Sequence, residues 1–294
     1  MPMDAMARLR GRVAAVINTS SGGLDATAEA RLHAVFEAAG LPRASVTAVT
    51  AEGIAAALDA AIGACDVLVA LGGDGTLMSA AERCVAAGRP LIALPGGTMN
   101  MLARALYGPI GWERALADTL ADPETRAVSG GRAQGRPFYC AAVLGAPTLW
   151  ADAREALRHW DLAAAFTRSV TAIRRHGGHR LTYRMDGAPA GSAEAVAVIC
   201  PLVSRSLTPD EQRLEAVALD PATARDAFRL ALSAMFDAWR EDQSVARAKV
   251  RSITVTAHGR IPVILDGERV RLGRSVTISF LPLAFLAITP ARRP

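Results

Sequence analysis

A chain of 294 residues, 51% hydrophobic and 21% charged, is long enough for two domains that each bury a core. Its formal charge of +5 is carried by arginine, with Lys249 the single lysine. No dense basic run or aromatic-interleaved basic stripe is present, which argues against nucleic acid and leaves anionic phosphates or lipid headgroups as partners. The four cysteines, Cys65, Cys84, Cys140 and Cys200, lie far apart in apolar runs without a CxxC pair. That disfavours a zinc site and fits small core residues in a reducing cytoplasm.

The opening MPMDAMARLRGR carries no apolar signal-peptide core. The longest uncharged apolar stretch near the C-terminus, Ser275 to Pro290, is shorter than the ~20 residues of a spanning helix and contains Pro282. No transmembrane segment is expected, so any membrane contact must be peripheral.

In chain order, Arg12 to Ile17 reads as a buried strand followed by the polar loop NTSSGG. Leu32, Val35, Phe36 and Ala39 then fall at helical spacing between Asp25 and Ala39, with Gly40 as the stop. Ser45 to Val49 is a second strand, Gly53 to Ile62 a helix, and Asp66 to Leu71 a third strand that runs straight into GGDGT. A helix over Leu77 to Ala87 leads to a strand over Pro90 to Leu94 and the loop PGGT. This alternation predicts a parallel sheet covered on both faces, with all three glycine-rich loops at the carboxyl ends of its strands, where such sheets bind ligands.

After about Asp122 the pattern changes. Phe138 to Leu144, Leu181 to Met185, Ala195 to Leu202, Ile253 to Ala257, Ile261 to Leu265 and Val276 to Leu281 read as strands, with turns such as MDGAP and LDGE between them. Helical stretches interrupt only near Arg154 to Arg175 and Ala222 to Arg240. The expected organisation is an α/β nucleotide-binding domain over residues 1–124, then a mainly antiparallel β-sandwich over 125–294 whose last residues return to the first domain.

Glycines at a strand end let the backbone approach a phosphate closely, and the following helix offers its free N–H groups. A carboxylate among them, Asp74, would repel a phosphate unless it orients a metal, a ribose or the reacting hydroxyl. One such loop could be a simple turn; three on one sheet edge favour a nucleotide cradle. A Walker A sequence is absent, as is a GxGxxG fingerprint in the first strand-to-helix turn, which argues against a dehydrogenase. Phosphate charge must then be met by backbone amides, Mg²⁺ and arginine.

GGDGT, then PGGTMNMLARAL and later LDGE, resembles the diacylglycerol kinase catalytic-domain superfamily, which includes bacterial soluble lipid kinases and is related to sphingosine kinases. The resemblance implies ATP and Mg²⁺ as cofactors, with the reaction in a cleft between an α/β domain and a β-sandwich. It implies transfer of the γ-phosphoryl group to a hydroxyl of diacylglycerol or a related lipid, in phospholipid biosynthesis. It further implies nucleotide contacts at Asn18, Ser21, Gly22, Thr50, Gly72, Gly73, Asp74, Gly75, Thr76, Gly97, Thr98, Asp266 and Gly267. Glu268 is the implied proton acceptor, with Asp74 beside it in the catalytic set. The expected location is the cytoplasm, with peripheral contact at the inner face of the membrane where the lipid substrate is met; a homodimer is left open.

On the residues alone, LDGE is a hairpin turn, like the Asp186-Gly187 pair, and only the resemblance promotes Glu268. Two departures stand out: Met101 occupies the place of an aspartate in the family's GTxNDFAR, and the family's metal loop reads CPLVSRSLTPDEQRLEAVAL, with Asp210 the nearest ligand. Both leave room for a non-catalytic nucleotide- or lipid-binding descendant. GGDGT is shared with NAD kinases, whose continuation differs from PGGTMNMLARAL. His176 and His179 read as a surface loop, and Trp150 and Trp160 as packing residues. The arginines Arg154, Arg158, Arg168, Arg174 and Arg175 suit a helix resting on anionic lipid.

Overall fold

A computed structural model describes residues 5–145, 180–208, 210–220 and 245–291. The two expected helices over Arg154 to Arg175 and Ala222 to Arg240 lie outside the described residues, as do His176, His179, Trp150, Trp160 and the helix arginines. The chain divides into two compact units, Met1–Val128 with Leu283–Pro294, and Ser129–Pro282.

The first unit contains α1 (Ala5–Leu9), β1 (Val13–Asn18), α2 (Ala28–Ala38), β2 (Ser45–Val49), α3 (Ile54–Ala64), β3 (Val67–Gly72), α4 (Asp74–Ala87), β4 (Leu91–Pro95), α5 (Met101–Tyr107) and α6 (Trp112–Ala121). Its strands pair in parallel in the order β2-β1-β3-β4. Every residue of β3 is buried, as expected for a strand with helices on both faces. Val13, Ala15 and Ile17 join Val67, Val69 and Leu71 in one core with Leu32 and Phe36 of α2 and Trp112 and Leu116 of α6. The intervening positions pack on the other side, where α3 and α4 lie. The order reverses between β1 and β3, and a crevice for ligands opens outside the carboxyl ends at such a switch point.

Two boundaries move for local reasons. Helix α2 begins at Ala28 rather than Asp25, because the Asp25 carboxylate accepts the Thr27 N–H at 2.9 Å and its hydroxyl at 2.6 Å in a turn. Helix α4 begins at Asp74 rather than Leu77, so GGDGT is at once the loop and the first helical turn.

The remaining strands are β5 (Pro123–Ala133), β6 (Arg136–Phe138), β7 (Ala141–Gly145), β8 (Leu181–Met185), β9 (Gly191–Ala193), β10 (Ala195–Ile199), β11 (Leu214–Leu219), β12 (Val245–Val250), β13 (Ser252–Thr256), β14 (Pro262–Leu265), β15 (Glu268–Arg271) and β16 (Ser275–Pro290). Within the second unit, β12-β11-β10-β7-β14-β15 form an antiparallel six-stranded sheet. A second antiparallel set, in which β13 pairs with β16 and with β8, supplies Ile253, Val255, Val276 and Ile278 to one core with Leu144, Val198 and Val263 of the six-stranded sheet. The fold is thus an α/β unit with a parallel sheet and a mainly antiparallel β-sandwich unit.

The run Phe138 to Leu144 is not one strand: β6 ends at Phe138 and β7 starts at Ala141, for a reason that belongs to the candidate site. The apolar stretch Ser275 to Pro290 is itself strand β16, and its final part returns to the first unit, where Ala287 pairs in parallel with Leu91. Among the described residues no helix is long and apolar enough to cross a membrane.

Candidate active site

Within the first unit the three glycine loops meet at the carboxyl ends of β1, β3 and β4. Their backbones touch so closely that side chains are excluded. A Cβ on Gly97 would lie 2.6 Å from Gly73 Cα, and one on Gly96 would lie 2.9 Å from Gly72 N. A Cβ on Gly23 would lie 2.9 Å from Gly97 O. Two backbone hydrogen bonds fasten the loops together, Gly23 N–H to Gly96 O at 3.0 Å and Gly96 N–H to Gly72 O at 2.8 Å. The glycines therefore serve loop-to-loop approach as much as ligand approach.

Side chains finish the cradle. Asn18 donates its Nδ2 to Thr76 Oγ1 at 2.9 Å, and Ser21 Oγ accepts the Gly73 N–H at 3.2 Å, so the first loop is tied to the third strand's helix. Thr76 is buried and Asn18 and Ser21 are half-buried; these three are structural ties within the loops. Gly22 faces Thr98, whose Oγ1 would lie 3.5 Å from a Cβ there. Thr98 and Gly75 are exposed, and nothing lies within 4 Å of a Cβ built on Gly75. No side chain caps α4, whose N-cap Gly73 is extended, so its first-turn N–H groups point from an open helix end at the switch point. Thr50 is exposed at the start of a short 3₁₀ turn, and its hydroxyl helps hold the Glu52 carboxyl below the usual carboxylate range.

Asp74 has a structural task. One of its carboxylate oxygens accepts the Leu102 N–H at 3.2 Å, in the first turn of α5. Asn100 is the N-cap of that helix, in the left-handed region at φ 52°. The Asn100 amide bridges the PGGT loop, accepting the Gly97 N–H and donating to Gly97 O, each at 2.7 Å. Asparagine tolerates that backbone better than most residues, and this preference is the signal the sequence offers. Met101, the first residue of α5, is buried at 5% exposure. Ser20 lies in the NTSSGG loop but is given no role by the sequence; its Oγ accepts the Ala51 N–H at 3.1 Å and ties the first loop to the end of β2.

In the second unit, Asp266 and Gly267 form the two-residue turn of the β14–β15 hairpin, both at positive φ (46° and 87°), the geometry that Asp-Gly favours. Asp266 is buried at 3% exposure, and its carboxylate accepts three backbone N–H groups, from Tyr139 at 2.6 Å, Cys140 at 2.8 Å and Ala141 at 2.9 Å. These amides explain the break between β6 and β7, since they turn to a carboxylate rather than to a neighbouring strand. Burial first, and then the negative charge of Asp266, push the Cys200 thiol well above its ordinary value, so that cysteine stays protonated. Glu268 follows, exposed, as the first residue of β15 opposite Leu265. The buried aspartate fixes the turn, and the turn presents the glutamate.

Asp210 is exposed, while its neighbour Glu211 pairs with Lys249 at 2.8 Å. Among the described residues no group of three or more His, Cys, Asp or Glu could hold a metal.

The diacylglycerol kinase catalytic domain family matches residues 12–133, which span all three glycine loops. Solved structures of proteins from Bacillus anthracis strain Sterne have the same fold. Two, described as candidate diacylglycerol kinases, superpose with TM-scores of 0.75 and 0.73 at 17% and 18% identity, over 95% of this chain and 97% of theirs. A third, described as a diacylglycerol kinase, gives 0.67 at 16% identity, again over 95% of this chain and 97% of that one.

Proposed function

We propose, from the premise that the chain belongs to the diacylglycerol kinase catalytic-domain superfamily through residues 12–133, that it transfers the γ-phosphoryl group of ATP to a hydroxyl of diacylglycerol or a related lipid. The observation that carries this reading is the cradle itself: three glycine loops in backbone contact beside the uncapped N-terminus of α4. Such an end binds phosphate through its N–H groups and its dipole without needing lysine.

The residues present fit Mg²⁺ in one manner. Asp74 is the carboxylate at the cradle, so the ion would be held there by one carboxylate and by phosphate oxygens, as Mg²⁺ commonly is. When bound, Mg²⁺ neutralises charge that builds on the transferring group. The chain's own part is positioning: backbone amides of Asp74 to Thr76 hold the phosphates, and Asn18, Ser21 and Asn100 hold the loops in register. Glu268, solvent-accessible and rigidly presented, takes the proton of the lipid hydroxyl as its oxygen bonds to the γ-phosphorus and ADP departs with the electrons of the broken bond. Gly22, Thr50 and Thr98 are exposed around the cradle and suit contacts to the nucleoside. The enzyme works in the cytoplasm and meets its substrate at the membrane surface.

Met101, apolar where the family often has aspartate, favours a second reading, a binding protein without turnover. One experiment separates the two. Labelled ATP and MgCl₂ are supplied with diacylglycerol, sphingosine or NAD in turn, and binding of ATP is measured in parallel. Label in phosphatidate supports the proposal. Label in NADP assigns an NAD kinase, and ATP binding without any labelled product assigns the non-catalytic reading. Asp74→Asn, which keeps an oxygen for the Leu102 N–H but loses the charge that would hold Mg²⁺ at the cradle, should lower turnover by at least about tenfold.

A further inference from the structure

The hairpin that presents Glu268 has a second property. Strand β15 is the last in the six-stranded sheet, and its residues alternate Glu268, Arg269, Val270, Arg271. In register, Val270 lies opposite Val263 and packs, half-buried, against the sandwich core to which Val263 belongs, whereas Arg271 lies opposite Pro262 and Arg269 opposite Ile264. Beside this hairpin is an open cavity of about 610 Å³ whose lining includes Arg260, Arg269 and Arg271 next to the half-buried apolar Pro262, Val270 and Leu272. The three arginines are exposed, and none forms an ion pair among the described residues, whereas Arg83, Arg89 and Arg180 each pair with an aspartate at 3.1 Å or less.

Charged edge strands also serve to block edge-to-edge pairing of sheets. That role is filled by either sign of charge and needs no cavity. Three guanidinium groups with no ion pair among the described residues, beside half-buried apolar side chains, match a different ligand, one with a phosphate beside hydrocarbon. Arginine binds phosphate oxygens through paired N–H groups, and the half-buried Pro262, Val270 and Leu272 gain by losing the water they still meet.

We infer that the β14–β15 edge is a docking site for the phosphate headgroup of an anionic membrane lipid, with Arg260, Arg269 and Arg271 as its contacts. The inference deepens the lipid-kinase reading, because it sets the hairpin of the proposed base against the bilayer that holds the substrate, but it is measured without catalysis.

The full chain, with no ATP present, is sedimented with vesicles of phosphatidylcholine alone or mixed with phosphatidylglycerol, across a salt series. Wild type should prefer the mixed vesicles, and the preference should fade as salt rises. Each basic group near an anionic surface contributes about fivefold in binding. Arg260→Gln, Arg269→Gln and Arg271→Gln combined should therefore weaken binding about a hundredfold, with the thermal melt unchanged. Arg269→Glu with Arg271→Glu keeps a charged, pairing-resistant edge, yet should lose at least as much binding. Undiminished binding in either variant overturns the inference and leaves the edge-blocking role. Displacement of vesicles by inorganic phosphate at matched phosphate concentration also overturns it, assigning the site to a free phosphate compound. A chain that phosphorylates diacylglycerol in detergent but shows no preference for anionic vesicles refutes the docking site alone. Lipid docking without turnover leaves the docking site standing and refutes only the kinase.

Discussion

Two Asp-Gly turns in the second unit share a sequence, a backbone and a bracing role. Asp186 and Gly187 have φ of 44° and 77°, close to the 46° and 87° of Asp266 and Gly267. The Asp186 carboxylate accepts the N–H of Arg251 at 3.0 Å and of Ser252 at 2.8 Å, just as Asp266 holds Tyr139, Cys140 and Ala141. They differ in burial and in the segment each turn leads to. Asp186 is exposed, pairs with Arg213 at 3.6 Å and leads into a loop, whereas Asp266 is buried and leads into an exposed glutamate on an edge strand. Turn geometry is local and can recur wherever Asp-Gly does; a turn locked by a buried anion, with a carboxylate projecting from it, appears once among the described residues.

The sharpest way to press that difference is to remove the glutamate. Glu268→Gln should lower kcat by about 10²–10⁴-fold, the usual worth of a general base. Stability should move by no more than about 0.5 kcal/mol, since the side chain is exposed. ATP affinity should hold, because the lost interaction belongs to the transition state. A variant retaining near-normal kcat would reduce Glu268 to an ordinary hairpin residue and make the two turns equivalent.

Next in size is the buried anchor. Asp266→Ala strands three buried backbone N–H groups, each costing about 1–3 kcal/mol, so a loss of at least about 3 kcal/mol is expected by chemical denaturation. Asp186→Ala exposes its amides to water and should cost about 1 kcal/mol or less. Equal losses at the two sites would break the comparison.

A third carboxylate, Asp66, braces backbone in the same way but in the first unit, accepting the Arg12 N–H at 3.0 Å and pairing with Arg89 at 3.1 Å. The Arg12 N–H, then its guanidinium, hold the Asp66 carboxyl below its ordinary value. A depressed folded-state pKa means the stabilisation is present above the unfolded pKa, about 3.9, and is lost as pH falls through the folded one. Melting temperatures of wild type and Asp66→Asn should differ slightly at neutral pH and draw together only as pH falls below the ordinary carboxylate value of about 3.9. A gap that persists at low pH would show that charge is not what Asp66 contributes.

Much of this molecule is readable from its sequence because the relevant physics is local. Buried runs such as Val67–Gly72 and alternating ones such as Ser252–Thr256 announce their burial through the period of their side chains, so both halves of the fold are legible. Glycine and Asp-Gly at strand ends likewise announce the three loops and the hairpin. Elements with weak patterns are not legible: Pro123–Ala133 and Glu268–Arg271 are strands only because partners lie beside them. Nor could residue roles be assigned one by one. Asp74 and Asp266 both sit in short glycine-flanked motifs, and the family resemblance implies that both are ligand contacts. The tertiary structure gives Asp74 the start of α5 and gives Asp266 three amides more than 120 residues away, because a carboxylate is satisfied by whichever N–H groups the fold delivers to it. Composition and spacing thus fix which backbones can form, and only the packing of distant segments decides which polar groups are used up in holding them and which stay exposed for chemistry.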